Sequence, residues 1–282
     1  MKLKLQPFMK EYRNILFYLL FTIIFLPNSS FIGKAGILPF YSIESAIGAV
    51  QINPLKRISN PAITAYYNDY SLNLSYSPSV FGLKELSPAS LLVLMPFSDA
   101  IKGSAKVDYV GNNLYSEFTF NASGSYSINE KIHLGVSACN SRLQIQKYHD
   151  ESIFMLNLGG VFEVNDVLST GFSLSNLNRA SFEGGDKSIG QKAVFGASIH
   201  PKENLFFDID MVILLERSSG IAFACRYDVS DLASIRLAYL SNPAGFEAGI
   251  KINPTGNFSI ISEFNYHSFL GFSSDFGISI HL

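Results

Sequence analysis

GFSSDFGISIHL, residues 271–282, carries the clearest structural pattern in this chain. Along it, large apolar residues alternate with small or polar ones. The first set is Phe272, Phe276, Ile278, Ile280 and Leu282, and the second is Gly271, Ser273, Asp275, Gly277, Ser279 and His281. Because successive side chains of a β-strand point to opposite faces, the alternation predicts a strand with one face suited to lipid and one suited to water.

The same period of two recurs earlier in the chain, for example over residues 117–126, 221–228 and 246–252. From about residue 70 onward, segments of about ten residues alternate with turn-forming residues, a pattern typical of transmembrane β-barrels. It predicts an all-β fold, namely an antiparallel barrel of about 14 strands. Because this number is even, the first and last strands can pair antiparallel and close the sheet. The predicted strands are 70–77, 89–97, 103–110, 115–127, 132–145, 152–164, 167–176, 190–200, 205–215, 219–228, 232–240, 244–252, 257–267 and 270–281.

Turn chemistry predicts how the barrel is oriented. Barrels of this kind have short periplasmic turns and longer external loops, and the final strand is expected to end in the periplasm. Counting back from that strand places the short turns at residues 228–231 and 253–256 at the periplasmic end. The longest connection, residues 177–190, then falls on the external side.

The composition agrees with a membrane barrel. Hydrophobic residues make up 48% of the chain and charged residues 16%, whereas soluble domains carry about 25% charge. No stretch after residue 30 reaches the roughly 18 uninterrupted apolar residues that a spanning helix needs. The 24 Phe and 14 Tyr residues can supply lipid contacts and interfacial girdles. A net charge of −2, with no basic patch outside the N-terminus, argues against nucleic acid as a partner.

A soluble periplasmic β-sandwich that acts as a binding module is the alternative fold. Its strands would also alternate, but with the charged face outward and the apolar face in a shared core. Many of the strands predicted here run to ten or more residues. Globular strands usually have five or six, whereas a tilted membrane strand needs about nine to eleven, so the length favours the barrel.

The N-terminal residues predict export. Lys2, Lys4, Lys10 and Arg13 precede a short apolar run at residues 15–26, the order found in a secretory signal. An uncleaved anchor is the alternative. The expected organisation is a signal peptide at 1–35, a hatch or plug segment at 36–68 without strand periodicity, and a barrel at 69–282 in the outer membrane.

Charged residues fall on the predicted inner face of the strands. At mid-depth a charge facing lipid costs a few kcal/mol, about 2–4 for a basic residue, so these side chains are expected to face the lumen. An internal ion-pair network and an ion-selective pore are both open as their role. The candidates are Glu117, Glu163, Asp208, Asp210, Arg226, Arg236, Glu247, Lys251, Glu263 and Asp275.

No constellation with catalytic spacing is apparent. The five histidines are scattered over predicted turns and strand ends, none at the spacing of a metal site. We therefore expect no catalytic, cofactor-binding or metal-binding residues, no cofactor, and no enzymatic activity.

Two short motifs lie in the predicted hatch: Ser45-Ala46-Ile47-Gly48-Ala49-Val50, and Ser59-Asn60-Pro61-Ala62. Together they resemble the N-terminal region of the FadL-like outer-membrane proteins, and within them the PorV/PorQ type associated with type IX secretion. Gly48, Asn60, Pro61 and Ala62 are the hatch residues that this resemblance marks. The Asn-Pro pair is interpreted as a turn that stops any preceding helix.

The resemblance implies two functions. One is passage of hydrophobic small molecules through a hatch-gated lumen, which predicts an apolar cavity between the hatch and the strand at 205–215. The other is a scaffold that handles secreted proteins, which predicts a filled lumen and working external loops. A structural barrel without transport is the third possibility. Outer-membrane lipid is the expected partner in each case, with hydrophobic small molecules or secreted proteins added in the first two.

Overall fold

The computed structural model describes residues 43, 45–147, 149–181, 190–215 and 219–282. Fourteen antiparallel strands form a closed barrel in which each strand pairs with its neighbours in sequence and β1 pairs with β14. The strands are β1 Ser71–Tyr76, β2 Ala89–Pro96, β3 Ile101–Gly111, β4 Tyr115–Asn129, β5 Ile132–Ile145, β6 His149–Glu163, β7 Leu168–Ser175, β8 Lys192–Lys202, β9 Leu205–Leu214, β10 Gly220–Ser230, β11 Ala233–Ser241, β12 Ala244–Thr255, β13 Phe258–His267 and β14 Gly271–His281.

The predicted all-β fold, a closed antiparallel barrel of 14 strands, is confirmed. Each predicted strand is present, and its ends lie within three residues of the observed ones. Closure comes from the pairing of β1 with β14, which runs in register from Ser71 opposite His281 to Tyr76 opposite Phe276. The barrel therefore has no unpaired sheet edge, which excludes the two-sheet sandwich. The predicted signal peptide at 1–35 lies outside the described residues.

Alternation sorts the side chains of each strand into two environments. In β13, Ser259, Glu263 and Asn265 are buried, whereas Ile260, Phe264 and Tyr266 on the other face are exposed. On the neighbouring β14, Phe272 is 57% exposed, and its ring centroid lies 5.2 Å from that of Phe264. Water tolerates such a continuous apolar exterior poorly, whereas acyl chains match it. The polar faces therefore enclose the interior.

The chain before β1 contains two short helices. Helix α1, Pro54–Arg57, is capped by the side chain of Asn53, and a 3₁₀ helix, Pro61–Tyr66, is capped by that of Asn60. The interpretation of Asn60-Pro61 as a stop signal was incomplete, because the pair begins a helix here. Proline suits the first helical position, where an amide donor would have no partner, and asparagine accepts from the next free N–H. Within the described residues, none of the helices is long and apolar enough to cross a membrane.

Candidate functional site

Residues 43 and 45–68, which we call the lumen segment, lie inside the barrel. Their apolar side chains join three small clusters with inward-facing strand residues. Ile43 packs with Ala222, Ala238 and Leu240; Ile47, Ala62 and Ile63 pack with Val161; and Leu55 and Ile58 pack with Leu92 and Leu94. These partners come from β2, β6, β10 and β11, so the segment touches several sides of the lumen. Residues 36–42 and 44 of the predicted hatch lie outside the described residues.

One wall of the lumen is formed by glycines. We call the inner face of β5–β8 the glycine wall, because Gly135 pairs across the sheet with Gly159, and Gly171 pairs with Gly196. A Cβ on Gly135 would lie 2.4 Å from the backbone N of Ala62. A Cβ on Gly171 would lie 3.1 Å from the carbonyl oxygen of Ala46. Absence of side chains at these positions lets two backbones approach closely.

Asn60 lies over the first glycine pair and is fully buried. Its Nδ2 donates to the carbonyl oxygens of Ala46 at 2.5 Å and Phe172 at 3.1 Å, and its Oδ1 accepts from the N–H of Ala62 at 3.0 Å. A Cβ on Gly159 would lie 1.8 Å from that Oδ1. The side-chain amide therefore connects two parts of the lumen segment to β7. It can occupy this position because Gly159 has no side chain.

The opposite wall carries charges. We call the inner face of β9–β14 the charged wall, where Asp208, Asp210, Arg236, Glu247 and Glu263 are each 2% exposed or less. Burying one of these charges without a partner is expensive, so the contacts that neutralise them decide what this wall does. The sequence predicts that all five face the lumen, but it does not predict what they bind.

Glu247 and Arg236 form a buried ion pair on this wall. Their Oε2 and Nη1 atoms are 2.6 Å apart. The other carboxylate oxygen of Glu247 accepts from the backbone N–H of Ile43 at 2.6 Å, and Arg236 donates to the carbonyl oxygen of Ile43 at 3.5 Å. The pair thus binds both polar groups of one residue of the lumen segment.

Lys56 brings a positive charge from α1 to the same wall. Its Nζ lies 2.9 Å from Glu263 and 3.1 Å from Asp275, and Asn53 donates to Glu263 at 3.1 Å. Burial alone would lower the pKa of Lys56, but the carboxylates of Glu263, Glu247 and Asp275 together raise it above its ordinary value. Lys56 is therefore a cation that balances the acidic residues of β12–β14.

Asp208 and Asp210 of β9 bind the first motif. Asp208 accepts from the hydroxyl of Ser45 at 2.8 Å and from the N–H of Val50 at 3.4 Å, and Asp210 accepts from the N–H of Ala46 at 2.8 Å. The segment here has no regular secondary structure, so its amide donors need side-chain acceptors. The two aspartates supply them.

The remaining predicted residues occupy different places. Arg226 donates to the carbonyl oxygen of Ala49 at 2.5 Å, and Glu163 accepts from the hydroxyl of Tyr66 at 2.6 Å. Glu117 is 3% exposed and accepts from the hydroxyl of Tyr115 on its own strand. Lys251 lines a cavity described below. Gly48, at φ 64°, holds a left-handed turn against the side chain of Arg57.

That cavity lies at the end of the barrel that carries the C-terminus, has a volume of about 300 Å³, and is polar. It is bounded by α1, by the ends of β10 and β12, and by the turn that contains Asp231. No group of three or more residues able to hold a metal ion occurs among the described residues.

Several residues that hold the lumen segment were not predicted from the sequence. Lys56 and Lys102 lie outside the predicted set, and Lys102 donates to Asn68 at 3.1 Å. The glycine wall was missed too, although its signal is visible in the sequence. A glycine inside a strand often marks a close approach of backbone, and four such glycines fall on inward positions of β5–β8.

No protein-family model matches the chain, and no curated protein matches it in sequence. Solved structures do match. A FadL homologue of Pseudomonas aeruginosa has a TM-score of 0.55 at 10% identity, over 84% of this chain and 97% of that one. The KdgM porin has a TM-score of 0.44 at 11% identity, over 76% of this chain and 99% of that one. A mutant of the Rhodopseudomonas blastica porin has a TM-score of 0.44 at 9% identity, with the same coverage of both chains. The chain thus shares the closed β-barrel fold of the FadL homologue.

Proposed function

We propose that this protein is a plugged outer-membrane barrel that serves as a non-catalytic scaffold for exported proteins, with a lumen closed by the lumen segment. One observation carries the closure: the lumen segment, residues 43 and 45–68, binds opposite walls of the barrel at once. Asn60 is bonded to β7, whereas Ile43 and Lys56 are bonded to β11–β14. A segment fixed on both sides occupies the path through the barrel.

The strength of these contacts supports a plug that stays in place. A net hydrogen bond contributes about 0.5–1.5 kcal/mol, and bonds to charged groups about 1.5–3 kcal/mol. Asp208, Asp210, Glu247 and Glu263 each accept at least one bond from the segment. Releasing it would take these hydrogen-bond donors away from buried carboxylates, so spontaneous opening is expected to be rare.

The surroundings of β9 favour the scaffold over passage of hydrophobic molecules. Such passage predicts an apolar cavity between the segment and this strand. Instead, Asp208 and Asp210 bind Ser45 and Ala46 directly there. The resemblance of the two N-terminal motifs to the PorV/PorQ type agrees with a role in a type IX-like secretion apparatus, and the N-terminal basic and apolar order agrees with export by a signal peptide.

A second candidate, passage or binding of hydrophobic small molecules, is favoured by a groove on the outer face. It has a volume of about 670 Å³ and is almost entirely apolar, with Leu74, Leu91, Ile260 and Phe276 among its lining residues. The fold shared with the FadL homologue agrees with this candidate as well.

Two measurements test the proposal. The purified protein in liposomes should give no swelling in sugar solutions, whereas a variant lacking residues 43–58 should give swelling if it still migrates as a heat-modifiable barrel. Swelling by the intact protein would contradict the plug. In the native host, loss of the gene should remove a set of exported proteins from the medium and leave uptake of labelled long-chain fatty acids unchanged. The reverse result would favour the second candidate.

A further inference from the structure

The polar cavity at the C-terminal end of the barrel brings together three cations from separate parts of the chain. Arg57 comes from α1, Arg226 from β10 and Lys251 from β12, and all three line a space of about 300 Å³. That volume is enough for a small polar molecule and not for a long acyl chain. Turns predicted to face the periplasm bound it, so the periplasm is the expected source of a ligand.

The cavity lining holds three cations and two carboxylates, Asp228 and Asp231, so the cations outnumber the acidic residues. Arg226 has a carboxylate neighbour, Asp228, at 3.2 Å. Arg57 has no ion pair among the described residues; it lies over the rings of Tyr67 and Tyr66, at 5.6 and 6.0 Å from the centroids. Lys251 has neither an ion pair nor a hydrogen bond in the described part of the chain. Among the described residues, Arg57 and Lys251 therefore have no carboxylate within ion-pair distance.

A buried donor points in the same direction. The Nε of Arg57 is shielded from solvent and has no hydrogen-bond partner among the described residues. A buried donor without an acceptor costs about 1–3 kcal/mol, and more when charged. The cost is removed when an anion supplies the acceptor. Lys56 and Arg236, by contrast, lie directly against carboxylates.

We propose that this cavity binds a phosphate group, free or carried by a small polar molecule, between Arg57 and Lys251. Arg57 and Lys251, neither of which forms an ion pair among the described residues, together match a phosphate monoester, which carries about −1.5 to −2 at neutral pH, better than a single carboxylate. Guanidinium groups bind phosphate oxygens with paired N–H donors, and lysine adds a point charge. Ser230, Ser234 and Asn253 in the same lining offer hydroxyl and amide groups for the rest of the ligand.

The site goes beyond the proposed scaffold function and does not depend on it. The plug contacts that close the lumen lie on the glycine wall and the charged wall, whereas the phosphate would bind to side chains that those contacts leave unpaired. A failure of phosphate binding would leave the liposome result above unaffected.

Isothermal titration calorimetry on the full-length protein in a neutral detergent tests the site. Inorganic phosphate and glucose 6-phosphate represent free sources, and dihexanoyl phosphatidylglycerol in the same micelles represents a lipid headgroup. We expect at least one to bind with a dissociation constant below 1 mM, and the affinity to fall with added salt. Binding of only the lipid would support the site and assign its source to the membrane.

Matched variants separate the site from general charge effects. The double variant Arg57→Gln/Lys251→Gln should lower the affinity at least tenfold, which is about 1.4 kcal/mol. Lys131→Gln, an exposed lysine in the β4–β5 turn, should bind like the wild type. Heat-modifiable migration shows whether each variant is folded, and Lys251→Gln alone serves if the double variant is not. No binding by the wild type, equal binding by the variants, or tighter binding of glucuronate than of glucose 6-phosphate would overturn the proposal.

Discussion

The lumen segment is held by two walls that work in different ways. On the glycine wall the barrel removes its own side chains, so that Pro61 and Ala62 lie directly on the strands at Gly135 and Gly159. On the charged wall the barrel instead extends long side chains such as Glu247 to meet the segment. The first wall depends on shape and tolerates no added atom; the second depends on charge and tolerates no lost one. We therefore expect the glycine wall to lose stability when a side chain is enlarged, and the charged wall to lose stability when a charge is removed.

The largest effect is expected at the charged wall. Glu247→Gln keeps the size of the side chain but leaves the buried charge of Arg236 uncompensated, and breaking such a pair costs about 3–5 kcal/mol. Since the chain has no Trp, the free energy of unfolding is best measured by guanidinium titration followed by circular dichroism in micelles. Trypsin gives a second readout, because Lys56 and Arg57 lie in the lumen segment and should become cleavable in the variant.

The control for this prediction is an exposed ion pair on the outer face of the barrel. Arg142 and Asp150 are 2.5 Å apart but about half exposed, so Asp150→Asn should change the free energy of unfolding very little, as exposed pairs usually do. A double variant Arg236→Met/Glu247→Leu, which removes both charges, should regain much of the stability lost in Glu247→Gln. Equal stability of Glu247→Gln and wild type would show that the charged wall does not hold the segment.

A smaller loss of stability is expected at the glycine wall, where it comes from added atoms and not from a lost charge. Gly135→Ala adds one methyl group 2.4 Å from the backbone of Pro61 and Ala62, and overpacking of this kind costs about 1–3 kcal/mol. In the matched control, Gly124→Ala, the added methyl would meet nothing closer than 3.9 Å. That change should be neutral or stabilising by up to about 1 kcal/mol, because alanine restricts the unfolded chain. Equal effects at both positions would remove the argument from close approach.

The walls differ in how far the sequence alone predicts them. Every strand followed from local alternation, since facing lipid or lumen is decided within each segment. The inward placement of Glu247 and Asp208 followed from the same rule. Their partners did not, because Ile43 and Glu247 are 204 positions apart and meet only after the barrel closes. Lys56 lies in a segment without periodicity, so no pattern marked it. Gly135 and Gly159 could have been noticed as strand glycines, but their alignment depends on a strand register that alternation does not fix.

The smallest effect is expected where the glycine wall does use a charge. Tyr66 donates to Glu163 at 2.6 Å, and both residues are only partly buried, so Tyr66→Phe should cost about 1 kcal/mol in the same guanidinium titration. The pKa of Tyr66 is raised above its ordinary value, mainly by burial and to a smaller extent by the hydrogen bond to Glu163. A raised pKa means that the stabilisation is complete below the unfolded value of about 10 and declines only as the pH rises above it.

The difference between wild type and Tyr66→Phe should accordingly stay constant from pH 7 to 9 and shrink at higher pH. Ser169→Ala is the matched comparison, since its hydroxyl donates to the same carboxylate at a longer 3.5 Å and should contribute less. A loss at Tyr66 as large as that of Glu247→Gln would mean that the glycine wall also relies on charge. The two walls would then differ only in degree. One contact to a carboxylate would contribute as much to the free energy of unfolding on the glycine wall as an ion pair does on the charged wall.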